Sequence, residues 1–212
     1  MDSVNNMELW DSVCKTDPSA VKPITGKQYK GSSPKPYWLI EHATRTFGAA
    51  GFGWGHDIIG QGFQQCGQDD MLHWAIVEFW YMKDNKRCSV QQMGGTKAMY
   101  KTNAGKMMVD EDAPKKSVTD ALVKAMSSVG FAGDIFSGRW DDSKYVNEAG
   151  QYHQAEKSAD IDRKFESAKG RISAAKNTQQ LTVIFNEFLS TKYAEQIKTL
   201  CGIKKEELSN AK

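Results

Sequence analysis

The run Met71–Met82, MLHWAIVEFWYM, constrains the fold of this chain more than any other segment. Its apolar residues occupy both sets of alternating positions, so a strand formed by this run presents apolar side chains to both faces of a sheet. Strands that are covered on both faces have this composition. We therefore predict that Met71–Met82 is a central strand covered on both sides.

Two further strands are predicted beside this one. Residues 54–65 follow the glycine-rich segment FGAAGFGWGHDI, and RCSVQQMGG follows a turn at KDNK and is expected to end at Gly94-Gly95. Because the connections are too short for crossovers, the three strands are expected to form an antiparallel meander.

Helices are predicted on both sides of the meander. The first is expected to begin with Ser33 as its N-cap and Pro34 in its first turn, and to end at Gly48. The second lies in VDEDAPKKSVTDALVKAMSSVG, where acids stand at the helix start and apolar residues recur at helical spacing. The predicted fold class is α+β, with a helix, a three-stranded antiparallel meander and a long helix.

Three regions are predicted along the chain. Residues 1–30 are polar and are expected to form an N-terminal arm with at most one short helix, followed by a core domain over residues 31–150. Aromatic and glycine content falls from Tyr152 onward, and amphipathic helical patterns dominate. Residues 151–212 are therefore predicted to be a small helical module.

Composition is that of a globular protein, with 40% hydrophobic and 25% charged residues and a net charge of only +2. The start of the chain, MDSVNNMELWDSV, lacks the basic start and the apolar core of a signal peptide, and no apolar run approaches the ~20 residues of a membrane span. We expect a cytoplasmic protein. The four cysteines form no C-x-x-C pair and are expected to be free thiols.

The glycine cluster does not fit a nucleotide-binding loop. A predicted helix precedes it and a predicted strand follows it, which reverses the order that directs a helix N-terminus at a phosphate. The spacing of Gly51, Gly53 and Gly55 also differs from G-x-G-x-x-G. We interpret the segment as a helix C-cap and a tight turn, with Trp54 packing the start of the strand against the helix. A bulky residue at Gly53 is expected to harm folding or assembly.

No catalytic residue, metal site or cofactor is predicted. The four histidines form no H-E-x-x-H motif, and no G-x-S-x-G elbow is present. The acids Asp110, Glu111 and Asp112 resemble the composition of a metal-dependent nuclease site. A charged helix start is the interpretation that we favour for them.

The first predicted helix carries features of a surface that binds single-stranded nucleic acid. Spacings of 3, 4 and 3 residues place four side chains on one face: Lys35, Trp38, His42 and Arg45. Cations on this face would follow phosphates, and the indole would stack on a base. An exposed tryptophan that packs on a neighbouring subunit is the alternative.

The second predicted helix has a charged face opposite its apolar stripe. Lys116, Asp120 and Lys124 recur every four residues along it. The alternative to a nucleic-acid contact is a solvated ladder of salt bridges that contributes little to stability.

Two segments resemble single-strand annealing proteins of the Rad-fifty-two superfamily. IEHATRTFGAAGFGWGHDI is similar to that family's FG-x-x-G-W segment, and KKSVTDALVKAMSSVG is similar to its A-V-T-D-x-L-K-R-A-L-R-x-x-G helix. The resemblance covers residues 30–146 and includes three strands between the two segments. SPKPYWLIEHATRTFG and GRWDDSKYV look more like the bacteriophage, Sak-like members.

The resemblance implies a β-β-β-α annealing core that assembles into a ring or helical oligomer. It implies non-enzymatic, ATP-independent pairing of complementary single strands during recombination, in the host cytoplasm if the protein is phage-encoded. Expected partners are single-stranded DNA, the annealed duplex intermediate and further copies of the chain, with no membrane. Residues 151–212 are expected either to dock a nuclease or a host single-strand-binding protein, or to pack on the core and stabilise the oligomer.

The residues alone leave three alternatives to annealing open. They are an accessory protein that protects single strands without annealing them, a metal-dependent nuclease, and a structural oligomer without DNA affinity. The family's paired cations on the late helix match only Lys124, because Val123 and Ser127 stand at the other two positions. Trp38 stands where relatives have a basic residue. Other cations are expected to compensate, and the predicted DNA-binding set is Lys35, Trp38, Arg45, Lys97, Lys101, Lys106, Lys116 and Lys124.

Overall fold

The computed structural model describes residues 5–24, 31–102 and 104–210 of the chain. The chain divides into two compact units, Met1–Ala149 and Gly150–Lys212. The first unit combines helices with antiparallel sheets, which agrees with the predicted α+β class. Within the described ranges, every helix is too short or too polar to cross a lipid bilayer.

The first unit contains short elements before the main sheet and helices after it. In chain order, the elements up to Ala149 are α1 (Glu8–Val13), a 3-10 turn (Pro18–Ala20), β1 (Val21–Pro23), β2 (Ser32–Pro34), α2 (Pro36–Phe47), β3 (Trp54–Cys66), β4 (Asp70–Lys83), β5 (Lys86–Lys101), β6 (Met107–Val109), α3 (Ala113–Ser128), α4 (Gly133–Phe136), a 3-10 turn (Arg139–Asp141) and the beginning of α5 (Ser143–Ser173).

The main sheet has four antiparallel strands in the order β3-β4-β5-β6, so the prediction of a three-stranded meander was wrong in strand number. The additional strand, β6, pairs with the end of β5, where Val109 lies opposite Met99. β5 also continues beyond Gly94-Gly95, because β4 still runs opposite it as far as Met71. The predicted turn at KDNK is confirmed, since Asp84 and Asn85 have positive φ values of 52° and 58°, as in a tight two-residue hairpin.

One face of the main sheet packs against α3 and α2. Val77 and Phe79 of β4 are fully buried against Ala125 and Met126 of α3. The backbone of α3 comes very close to β5 at Gly94, where an added Cβ would lie 2.3 Å from Ser117 O and 2.4 Å from Ala121 N. This approach requires glycine because a side chain has no room there.

The opposite face of β4 is less covered, so the prediction of coverage on both sides was wrong for the described residues. Ala75, Val77 and Phe79 are fully buried, whereas Trp74 and Trp80 on the other face are half-buried. Both indoles lie across glycines of β3. An added Cβ at Gly55 would be 2.6 Å from Trp80 Cζ2, and one at Gly62 would be 3.1 Å from Trp74 Cζ2. The indoles thus bury part of their own surface against bare backbone.

The joint between α2 and β3 confirms the interpretation of the glycine segment. α2 begins later than predicted, with Lys35 at its N-cap and Pro36 in its first turn, because Ser33 and Pro34 belong to β2. It ends at Gly48, which has a φ of 97°. Trp54 is buried, and its Nε1 donates a hydrogen bond of 3.2 Å to Thr44 Oγ1. The strand start is therefore anchored to the helix.

Part of the predicted N-terminal arm is built into the first unit. Val13 and Thr16 are fully buried. Thr16 is hydrogen-bonded to Asp134 of α4, and Lys35 N donates to Ala20 O just before β1. Residues 1–4 and 25–30 of the predicted arm lie outside the described residues.

The second unit is helical, with the rest of α5 followed by α6 (Thr178–Phe188) and α7 (Ala194–Asn210). Its apolar core includes Phe165, Ile184 and Ile197. The ring of Phe165 stacks on Tyr193 with 3.9 Å between centroids. These contacts give the unit its own hydrophobic cluster.

Candidate nucleic-acid interface

A groove of about 550 Å³ opens between the β1–β2 pair, the start of α2 and the first half of α3. Three lysines line it, Lys22 from β1 and the adjacent Lys115 and Lys116 from α3. The hydroxyl-bearing residues Ser33 and Thr119 also line the groove. Lysine ammonium groups together with hydroxyls are common partners of phosphate oxygens.

Local structure explains how these lysines come together. Val21 of β1 pairs with Pro34 of β2, and Pro34 leads directly into α2, so Lys22 is held beside the start of that helix. Pro114 lies in the first turn of α3, and Lys115 and Lys116 follow it. The first turn of a helix tolerates proline because its N–H needs no intrahelical partner there.

Two of the groove lysines form ion pairs with carboxylates. Lys115 Nζ lies 2.9 Å from Asp112 Oδ1, and Lys116 Nζ lies 2.6 Å from Asp110 Oδ2. Each hydrogen bond to a carboxylate raises the pKa of its lysine, so both stay protonated. Exposed ion pairs of this kind contribute little to stability, so a phosphate can replace the carboxylate at little cost. Lys22 forms no ion pair with any residue that the structure describes.

A second concavity, of about 330 Å³, lies beside the start of α2. It is lined by Ser19, Lys35, Tyr37, Trp38 and Glu41, among others. Lys35 Nζ donates a hydrogen bond of 2.9 Å to Ser19 O. The Tyr37 side chain is 84% exposed. This concavity therefore combines a cation with an accessible aromatic ring, which suits contact with a nucleotide.

Helical spacing predicts that the indole of Trp38 is freely exposed, and the structure differs from this prediction. Trp38 is half-buried and packs against the main core. Its ring meets His42 edge-on, with 4.9 Å between centroids, and His42 in turn meets Phe131 at 5.3 Å. Only part of the indole reaches the second concavity, and Tyr37 presents the more accessible ring.

The other predicted site residues lie outside both concavities. On β5, Lys97 Nζ lies 2.8 Å from Asp70 Oδ2 at the start of β4, and Lys101 Nζ lies 3.5 Å from Asp69 Oδ2 in the turn before β4. Lys106 is exposed and directly precedes β6. These three lysines lie at the far end of the main sheet, and none of them lines the groove.

Arg45 and Lys124 each pair with an acid on their own helix. Arg45 Nη2 lies 2.6 Å from Glu41 Oε1, and Lys124 Nζ lies 2.8 Å from Asp120 Oδ2. The predicted residues that the structure does bring to the concavities are Lys116, in the larger one, and Lys35 and Trp38, in the smaller one.

Sequence reasoning missed Lys22, Lys115 and Tyr37. The signal for Lys115 was its position directly before Lys116 in the first turns of a predicted helix. The signal for Tyr37 was its position on α2 away from the buried face that contains Leu39 and Ala43. No local signal pointed to Lys22, since its place depends on pairing between β1 and β2.

The acids of residues 110–112 lead into α3 rather than forming a separate site. Asp110 N donates to Ala98 O, and Asp110 Oδ1 accepts a hydrogen bond from Asp112 N. Both of these carboxylates also pair with lysines of α3. Across the described ranges, no group of three His, Cys, Asp or Glu side chains is arranged to hold a metal ion.

No protein-family model matches this chain, and no curated protein matches it. The chemistry of the two concavities is therefore the observation from which a function can be argued.

Proposed function

We propose that the chain is a single-stranded DNA-binding and strand-annealing protein that acts in homologous recombination. It works as a homo-oligomer without nucleotide hydrolysis, cofactor or catalytic residue. The observation that carries this proposal is the groove, where Lys22, Lys115 and Lys116 converge from two separate parts of the first unit. The joint around Gly53 and Trp54 resembles the annealing family and supports the same function.

The groove chemistry favours contact with the nucleic-acid backbone. Lysines and hydroxyls bind phosphate oxygens whatever the base sequence, so binding is tolerant of sequence. Asp112 and Asp120 also line the groove, and their charges repel any phosphate that comes close to them, so a bound backbone is expected to follow the three lysines. A single strand held by its backbone leaves its bases available for pairing with a complementary strand.

Oligomerisation follows from the size of the site. One groove holds only a few nucleotides. A duplex formed by so few base pairs is too weak to persist. Several protomers aligned along one strand would present a longer row of bases in a regular arrangement. Such pre-ordering lowers the entropy cost of finding the correct register.

The second unit is assigned a docking role in this proposal. Val183, Leu189 and Ile203 are apolar side chains of this unit that are 57%, 55% and 53% exposed. A nuclease or a host single-strand-binding protein is the expected partner, and the host cytoplasm is the expected place of action. Pull-down of such a partner by the full chain, and its loss on Val183→Asp, would test this role.

The main test measures binding of a labelled single strand as a function of salt. The groove variant combines Lys22→Ala, Lys115→Ala and Lys116→Ala, and it should bind the strand more weakly. The magnitude of the slope of log K against log salt should fall by about 2, because each phosphate contact on a single strand contributes about 0.7 to that slope. The matched control removes three exposed lysines of the second unit: Lys176, Lys198 and Lys205.

Annealing is measured separately with two complementary labelled strands and no ATP. The wild-type chain and the control triple variant should accelerate pairing, and the groove variant should not. If affinity and salt slope are the same in the groove variant, the groove is not the DNA site. Tight binding without acceleration would instead identify an accessory protein that protects single strands.

A further inference from the structure

The smaller concavity beside α2 presents an aromatic ring that contributes little to the fold. Tyr37 is 84% exposed, and across the described ranges its ring forms no hydrogen bond or ring contact with another residue. The ring therefore keeps a large apolar surface in water. A planar ligand that stacks on this ring would remove that surface from water.

The other residues of the concavity suit a planar ring. Ala20 and Ile40 give it apolar lining. Trp38 is held in place beside them, because its ring meets that of His42 at 4.9 Å and packs against the main core. The volume of about 330 Å³ lies at the small end of the range for small-molecule sites. This space is suitable for one nucleotide base.

Lys35 supplies a cation at the same concavity. Its Nζ donates one hydrogen bond, of 2.9 Å, to Ser19 O. Because an ammonium group has three donors, two remain for the oxygens of a phosphate. The acid in this lining, Glu41, is already paired with Arg45 at 2.6 Å. The concavity thus offers a partner to each of the two parts of a nucleotide, its base and its phosphate.

The groove and the smaller concavity lie next to each other along the β1–β2 pair. Lys22 and Ser33 pair with each other and line the groove. Two positions further in the same register, Lys35 N donates to Ala20 O at 2.7 Å, and both of these residues line the smaller concavity. Two strand residues span about 7 Å. A nucleic-acid strand covers this distance in about two nucleotides at its helical spacing of ~3.4 Å.

We propose that the smaller concavity is a base-binding subsite, where one base of the strand that leaves the groove stacks on Tyr37 while Lys35 binds the adjoining phosphate. The proposal rests on the proposed function and deepens it, since it adds contact with a base to contacts with the backbone. Every base has a π face, so the subsite accepts any sequence. A base held there is withheld from pairing until it is released, unlike the bases of nucleotides in the groove.

The test compares two labelled strands of equal length, one complete and one in which every base is absent and only sugar and phosphate remain. Tyr37→Ala should weaken binding of the complete strand about 10-fold, as expected for the loss of one stacking ring. The salt dependence of binding should not change, because no charge is removed. Binding of the strand without bases should also be unchanged.

Two further variants serve as controls. Tyr37→Phe keeps the ring and should bind both strands like the wild-type chain. Phe52→Ala is the matched control, since Phe52 is 86% exposed and lines neither concavity. Circular dichroism checks that each variant is folded. If Tyr37→Ala binds the complete strand as well as the wild-type chain does, or loses affinity equally for both strands, the proposal is overturned.

Photochemical cross-linking locates the base directly. Iodouracil placed in the strand reacts on irradiation with an aromatic ring that it contacts, and we expect the adduct on the peptide that contains Tyr37. Tyr37→Ala should lose this adduct, and Phe52→Ala should retain it. Cross-linking decides the question if the strand without bases binds too weakly to compare. Absence of an adduct on this peptide of the wild-type chain would overturn the proposal.

Failure of the subsite and failure of the proposed function have different signatures. Loss of binding in the groove variant, with full binding by Tyr37→Ala, would contradict the subsite and leave the proposed function in place. Stacking on Tyr37 by a chain that does not accelerate annealing would support the subsite and identify an accessory protein that protects single strands. A chain without affinity for either strand would contradict both.

Discussion

Asp134 binds Thr16 through two hydrogen bonds that join residues 118 positions apart in the chain. Thr16 N lies 2.8 Å from one carboxylate oxygen, and Thr16 Oγ1 lies 2.6 Å from the other. Ile135 N and the Tyr145 hydroxyl donate to the same carboxylate. Because Thr16 leads through a 3-10 turn into β1, this buried carboxylate holds the segment that carries the groove residue Lys22.

Removing this carboxylate should destabilise the first unit strongly. Asp134→Ala leaves the buried N–H and hydroxyl of Thr16 without a partner, and we expect the free energy of unfolding to fall by about 3 kcal/mol. Urea denaturation measures the change. Thr16→Val keeps the backbone hydrogen bond and should cost only about 1–2 kcal/mol, and the exposed Asp141→Ala serves as the control. Equal stability of Asp134→Ala and the wild-type chain would contradict this account.

Tyr145 should make the first unit sensitive to alkaline pH. Burial, and then the charge of Asp134, raise the pKa of its phenol above the ordinary value of 10.0. A raised pKa in the folded state stabilises the fold below the ordinary value, and this contribution is lost as the pH rises above it. The stability advantage of the wild-type chain over Tyr145→Phe should therefore shrink between about pH 8 and pH 11, on either side of ~10.

The measurement for this pH dependence is urea denaturation at both ends of the range. Tyr37→Phe is the control, since the Tyr37 side chain is 84% exposed. A constant difference between wild type and Tyr145→Phe across this range would show that the phenol is not held neutral by its surroundings.

The joint between α2 and β3 should not tolerate a side chain at Gly53. A Cβ there would lie 1.7 Å from Phe47 O, so backbone must move to admit it. We expect Gly53→Ala to lower the free energy of unfolding by more than ~3 kcal/mol. At Gly170 of α5, an added Cβ meets no atom within 4 Å. Gly170→Ala should instead stabilise by about 0.5–1 kcal/mol, and thermal denaturation of both variants compares them directly.

His73 should be replaceable by an apolar ring without loss. Its side chain is buried, and its Nδ1 has no hydrogen-bond partner among the described residues. The ring meets Phe63 edge-on at 4.9 Å. His73→Phe keeps a ring and removes the unsatisfied atom, so stability should be unchanged or rise by up to ~1 kcal/mol. His73→Ala should lower it by about 2 kcal/mol through cavity formation. A large loss in His73→Phe would reveal a polar role for the imidazole.

Local patterns were sufficient for the joint and the tight turn. Gly48 ends α2, Trp54 anchors β3, and Asp84-Asn85 reverse the chain, all as the sequence indicates. These features depend on contacts within a few residues, and such contacts leave clear signals in composition and spacing. The error at the start of α2 is also confined to a few residues, because Ser33 and Pro34, which were expected to begin the helix, belong to the short strand β2.

Long-range pairing decided the features that sequence reasoning missed. β6 is three residues long and carries no strand pattern of its own, so its existence depends on the length of β5 opposite it. The alternating pattern of β4 indicated two apolar faces, but the pattern does not say whether an element of the same chain covers the second face. Helical spacing placed Trp38 on an open surface because it contains no information about His42 and Phe131 packing around it.

The candidate site shows the same division most clearly. The sequence alone indicated a helix with Lys116 near its start and the absence of a phosphate-binding loop. It did not show that Lys22 lies across a groove from Lys115, because that proximity requires β1 to pair with β2 and Thr16 to be bound by Asp134. Periodicity reports which face of an element is apolar, whereas the meeting of side chains from distant segments is decided by tertiary packing and buried hydrogen bonds.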